Sequence, residues 1–117
     1  MKIETTILKN LLQNEDYARK VLPFLNDEYF TENSDKIIYN QINNFILKYN
    51  SLPNKEALNI ELSEAKITEE DFKESVNLIN EIGKDDQEFS DLSWLLDTTE
   101  KFCQDKAIYN AVVESIS

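Results

Sequence analysis

The sequence contains no histidine, one cysteine, one glycine and two prolines. Without histidine the chain lacks the commonest general base and the commonest zinc ligand. A lone cysteine, Cys103, can neither close an internal disulfide nor build a thiolate zinc site, and it suits a reducing setting. A lone glycine, Gly83, cannot supply a G-x-x-x-x-G-K-[ST] phosphate loop, a G-x-G-x-x-G fingerprint or a G-x-S-x-G nucleophile turn. ATP hydrolysis by this chain is therefore excluded at the level of sequence, and no catalytic, cofactor-binding or metal-binding residue is expected. Tight β-hairpins need more turn glycines than this. Long apolar runs are absent too. Nothing approaches the ~20 residues that span a bilayer, and Met1-Lys2-Ile3-Glu4 turns polar too soon for a signal peptide. A cytoplasmic site of action is expected.

Basic residues are also scarce. Twelve Lys and Arg stand against 23 Asp and Glu, a net charge of −11. Such a surface repels a phosphate backbone, so direct DNA binding is disfavoured, while encounter with basic proteins is favoured. What the chain does hold, across 117 residues, is Lys, Glu, Leu and Ile in abundance, the composition of one helical domain.

The apolar spacing predicts an all-α bundle of six helices with short connections. Ile3, Ile7, Leu8, Leu11 and Leu12 share one helical face. Asn14 can cap a second helix carrying Tyr17, Val21, Leu22 and Leu25, which Pro23 should end or kink near Leu22. Asn33 or Ser34 can cap a third, with Asp35 in its first turn and Ile37, Ile38, Ile42, Phe45, Ile46 and Tyr49 along its stripe. After the Asn50–Pro53 loop, Asn54 can cap a short helix bearing Ala57, Leu58 and Leu62. Thr68 through Asp71 resembles a capping box, followed by Phe72, Val76, Ile79 and Ile82, with Gly83 as the stop. Lys84–Asp91 carries four acids to one base. Asp85, Asp86 and Glu88 could be imagined around a hard cation, but such charge runs usually remain solvated. The last helix should start near Ser90 or Asp91 and run to the chain's end, about 25 residues without a stop, which is long for a small domain. Its stripe skips Asp105 and Lys106 and resumes slightly rotated. One half is thus expected on the core and the other on a partner.

Within that helix, Trp94 lies off the Leu92–Leu95–Leu96–Thr99 stripe. It is either an interface anchor or an edge of the core. Tyr109 and Ile116 lie where a terminal helix rarely completes a core alone. Trp94, Phe102, Tyr109 and Ile116 form the candidate protein-interface set, with Phe102 the one best suited to plain packing. Cys103, at apolar helical spacing, reads as a core thiol.

In order along the chain stand Glu4 before Leu8, Leu11 and Leu12; Asp27-Glu28-Tyr29-Phe30; Asp35-Lys36-Ile37-Ile38-Tyr39; Ser51-Leu52-Pro53-Asn54 before Ala57-Leu58; and Trp94-Leu95-Leu96, Glu100-Lys101-Phe102 and Lys106 to Ala111. This order resembles the N-terminal domain of DnaB-like replicative helicases, in the version carried by T-even-type phages. The resemblance implies a non-catalytic collar domain spanning residues 1–117, with the RecA-like ATPase domain absent from this chain. It implies self-association into a hexameric ring in the full-length protein, through a helical hairpin whose first arm is the last helix here. It implies docking of DNA primase, with a helicase loader as a further candidate partner, no cofactor and no membrane, inside an infected host cell. A free-standing acidic helical protein such as a DNA mimic is the alternative. A mimic needs carboxylates in a line, whereas here Lys and Arg are interspersed. A small carboxylate enzyme would need a pocket holding a carboxyl group of raised pKa, and the sequence locates none.

Overall fold

In the computed structural model, residues 2–84 and 91–116 are described, and all regular structure among them is helical. Six α-helices follow in order: α1 (Ile3–Gln13), α2 (Glu15–Val21), α3 (Asn33–Tyr49), α4 (Lys55–Ser63), α5 (Glu69–Ile82) and α6 (Leu92–Ile116). Two 3₁₀ turns, Leu22–Phe24 and Asp27–Tyr29, join α2 to α3.

The punctuation is largely that of the sequence. Asn14, Asn54 and Thr68 cap α2, α4 and α5 by accepting from the backbone N–H groups of Tyr17 (3.1 Å), Ala57 (2.7 Å) and Asp71 (3.1 Å). Asp91 does the same for α6, accepting from Trp94 N–H at 3.0 Å. Each satisfies a donor that a helix start otherwise leaves orphaned. Pro23 ends α2, which gives way to a 3₁₀ turn at Leu22.

Two local expectations are corrected. Neither Asn33 nor Ser34 caps α3. That helix begins at Asn33 with Glu32 as its N-cap and no side-chain cap, because the Glu32 carboxylate turns to Lys2 Nζ at 2.9 Å. Gly83 does end α5, yet with an ordinary φ of −86°. Closeness, not handedness, requires glycine there, since a Cβ would lie 2.9 Å from the Ile79 carbonyl oxygen and 3.2 Å from Lys55 Cδ. The left-handed cap occurs instead at Asn50, φ 54°, after α3. Arg19 on α2 holds that turn by donating to Asn50 Oδ1 (3.2 Å) and to its carbonyl oxygen (3.0 Å).

Helices α1, α3 and α5 pack mutually, α4 covers α3 and α5, and α6 lies against α2 and the second 3₁₀ turn. One core joins Ile7, Leu8 and Leu11 of α1, Ile38 and Ile42 of α3, Leu58 and Leu62 of α4, Ile79 and Ile82 of α5, and Leu95 of α6, all essentially fully buried. Phe30, one of the aromatic pair read from the sequence, sits between Tyr39 (ring centroids 5.4 Å apart) and Phe102 (5.9 Å). The Tyr39 hydroxyl donates to the Leu25 carbonyl oxygen at 3.1 Å, and burial pushes its pKa up to about 12. The ends of two stripes escape the core: Tyr49 and Phe72 are exposed.

Candidate interaction surface

Twenty-five residues of α-helix are about 37 Å long, close to the molecule's greatest extent of 39 Å. So α6 is about as long as the domain is wide, and its two halves meet different surroundings. In the first half Leu95, Thr99, Phe102 and Cys103 are buried. Thr99 Oγ1 shares a 2.6 Å hydrogen bond with the buried Tyr17 hydroxyl. Burial pushes the Cys103 thiol up to about 11, so it is a packed, protonated group, as its spacing suggests. In the second half Asn110 Nδ2 donates to the Glu28 carbonyl oxygen at 3.2 Å. On either side of it in sequence, Ile108, Tyr109, Val112, Val113 and Ile116 are 46–80% exposed. Their i, i+1, i+4, i+5, i+8 spacing makes a continuous apolar face, which water does not stabilise.

Of the four residues singled out in the sequence, Tyr109 and Ile116 lie on this face, 64% and 80% exposed. Trp94, at 52%, stands at the opposite end of α6, near its N-cap. Phe102 is taken into the core, 8% exposed against Phe30, so it does not share an exposed surface with the others. Ile108, Val112 and Val113 complete the face. The sequence signal for them was the resumed stripe itself.

A second feature was missed. A cavity of about 690 Å³ opens between the start of the chain, the start of α3 and α5, lined by Lys2, Glu32, Asp35, Leu78 and Glu81 among others. Asp35 is 3% exposed, and its Oδ2 has no hydrogen-bond partner. Burial raises its pKa; the Lys2 ammonium opposes this, while Glu32, Glu4 and Glu81 reinforce it. First-turn position alone marked Asp35 as a dipole partner, and nothing local announces that α5 will cover it. Because the folded pKa is raised, the folded state holds this proton more tightly than the unfolded chain does. Stability is therefore lost as pH rises from the unfolded value through the folded one. Asp35→Asn is expected to melt higher than the parent at pH 7. Melting curves taken down through the ordinary carboxylate range should show that advantage shrinking; an advantage independent of pH would refute the charge as its cause.

No group of three or more Asp, Glu, Cys or His side chains among the described residues is arranged to hold a metal ion. Asp85, Asp86 and Glu88 lie outside the described residues. No described helix is long and apolar enough to cross a membrane.

No family model matches the chain. A comparison with curated proteins is decisive: over 110 residues, 94% of this chain, it is 32% identical to a DnaB-like replicative helicase of Enterobacteria phage T4. This chain is homologous to part of a DnaB-like replicative helicase. The match takes in 22% of the helicase's length, so the chain spans about a fifth of that relative. It is consistent with an N-terminal domain of such a helicase. No catalytic domain of the helicase is apparent in it. The all-helical architecture with a long final helix is the one the helicase resemblance implied.

Proposed function

We propose that this chain is the N-terminal collar domain of a phage replicative DNA helicase, which associates with copies of itself and docks primase in the cytoplasm of the infected cell. The observation that carries the reading is the apolar face of Ile108, Tyr109, Val112, Val113 and Ile116 on a helix whose other half is core. Among residues 107–116 only Glu114 is charged. A helix segment so apolar around its circumference belongs against other protein. Self-association through this face would set subunits side by side. The acidic remainder of the surface, at −11 overall, would favour a basic docking partner without gripping DNA. Unwinding and ATP hydrolysis would belong to the rest of the parent helicase.

Sedimentation equilibrium tests the association. The chain should form reversible oligomers, and a Val112→Asp/Ile116→Asp double variant should be monomeric at the same concentrations with unchanged helical circular dichroism. A chain that stays monomeric throughout, or a variant that associates as well as the parent, would sink this role for α6. Co-sedimentation with the primase of the same replication system tests docking: a shared boundary supports it, and independent sedimentation removes it.

A further inference from the structure

Helices α4 and α5 form an antiparallel hairpin across the short 64–68 connection. Lys55, at the start of α4, lies against Gly83, at the end of α5: a Cβ on that glycine would sit 3.2 Å from Lys55 Cδ. Phe72, Val76 and Gly83 recur at i, i+4 and i+11, one face of a helix, so this face of α5 turns towards α4. On α4 the matching face repeats at Lys55, Asn59 and Ser63, with Ile60 on its outer side. A groove of about 540 Å³ opens there, lined by Lys55, Glu56, Asn59, Ile60 and Ser63. Ile60 is 54% and Phe72 37% exposed. Each stands three residues from the connection, so they share one level of the hairpin.

The chain's negative charge is concentrated on this hairpin. Residues 55–82 hold eight acids and three lysines, −5 over 28 residues. Residues 3–49, the first three helices and their turns, hold seven acids and five bases, −2 over 47 residues. Glu56 lines the groove, Glu64 and Glu69 flank the connection, and all three are exposed. An apolar strip with an acidic border thus faces water, and self-association through α6 leaves it unused.

We infer that the groove between α4 and α5 receives a basic amphipathic helix of a partner protein, with Ile60 and Phe72 as its apolar contacts and Glu56, Glu64 and Glu69 as acceptors for its basic side chains. This rests on the docking role proposed for the chain.

Shape selects a helix, because two neighbouring helices present a furrow that the side-chain ridge of a third can enter. The nine residues of α4 are about 13 Å long, room for two to three turns of contact. Charge selects the source. The free half of α6 on a second copy is apolar, but residues 107–116 carry a single charge, Glu114, and would leave the acidic border unanswered. A helix with lysine or arginine beside its apolar stripe answers both features, and opposite charge speeds the encounter.

The probe is a capped amphipathic peptide of about four helical turns, leucine on one face and lysine on the other, titrated into the chain and followed by backbone amide chemical shifts. Saturable shifts on α4 and the first half of α5 are expected, weakening with added salt. The same composition in an order that scatters the leucines should give no saturable shift, and glutamate in place of lysine should abolish binding. Ile60→Asp, at an exposed position, adds negative charge while removing an apolar contact, and should weaken binding about tenfold. Binding untouched by Ile60→Asp, or shifts centred on residues 108–116, would overturn the groove as the site. Co-sedimentation with primase separates this inference from the docking role itself. A boundary shared with the parent and lost with Ile60→Asp supports the groove. A boundary shared with both removes the groove and leaves docking standing. A boundary shared with neither removes docking, and the groove with it.

Discussion

Phe102→Ala should destabilise the domain by about 3–5 kcal/mol, the range for removing a buried aromatic ring. That is a large share of the ~5–15 kcal/mol that holds an ordinary domain together. Phe102 is 8% exposed, stands 5.9 Å centre to centre from Phe30, and has Lys106 Nζ 5.9 Å from its own centroid. Its loss would open a cavity between α6 and the turn before α3, and Phe30, already packed on Tyr39, is poorly placed to fill it. The comparison that gives the number its meaning is Tyr109→Ala, two turns further along the same helix. At 64% exposure it should stay within about 0.5 kcal/mol of the parent. Urea denaturation of the two variants checks both. Equal costs would mean that α6 is not divided into a core half and an open half.

The second large effect concerns one buried hydrogen bond. Tyr17 is 0% exposed and its hydroxyl meets Thr99 Oγ1 at 2.6 Å. Breaking such a pair from one side strands the other group, at about 1–3 kcal/mol. The two sides should not be equivalent. In Tyr17→Phe the Thr99 hydroxyl can turn back to a carbonyl of its own helix, a bond threonine makes readily, so the cost should fall near the lower end. In Thr99→Val the tyrosine hydroxyl keeps its burial and has no other described partner, so the cost should approach the upper end. The double variant should be more stable than the sum of the singles implies, by roughly 1 kcal/mol or more. Strict additivity in a denaturation cycle would remove the hydrogen bond as a stabilising contact.

The helices and their stops were legible because they depend on neighbours in sequence. Asn14, Asn54 and Thr68 cap as read, and Pro23 ends α2 where a missing N–H requires it. The α3 cap was not legible, because Lys2 diverts Glu32 from thirty residues away. The division of α6 was visible as a stripe that resumed rotated: its first half lies in the core, as expected, and its second half, expected on a partner, is exposed. Phe102, the member of the interface set read as best suited to plain packing, lies in the core against Phe30. Helical spacing locates a face but not what lies across from it, and Phe30 is 72 positions upstream. The acidic cavity left no trace for the same reason: Asp35 and Glu81 are brought together only when α3 packs on α5.

The Tyr17–Thr99 bond joins residues 82 positions apart, and that separation has a consequence in time. A ribosome adds about 5–20 residues each second, so α2 waits about 4–16 seconds between its own synthesis and the arrival of its partner helix. Helices α1, α3, α4 and α5 are complete before α6 is made, and they contact one another directly. They can therefore assemble while the apolar side of α2, with Tyr17, Ala18 and Val21, still faces water on its α6 side. The last helix is the latch of a vectorially built domain. A chain stalled before Leu95 would present that open side to every other nascent protein nearby.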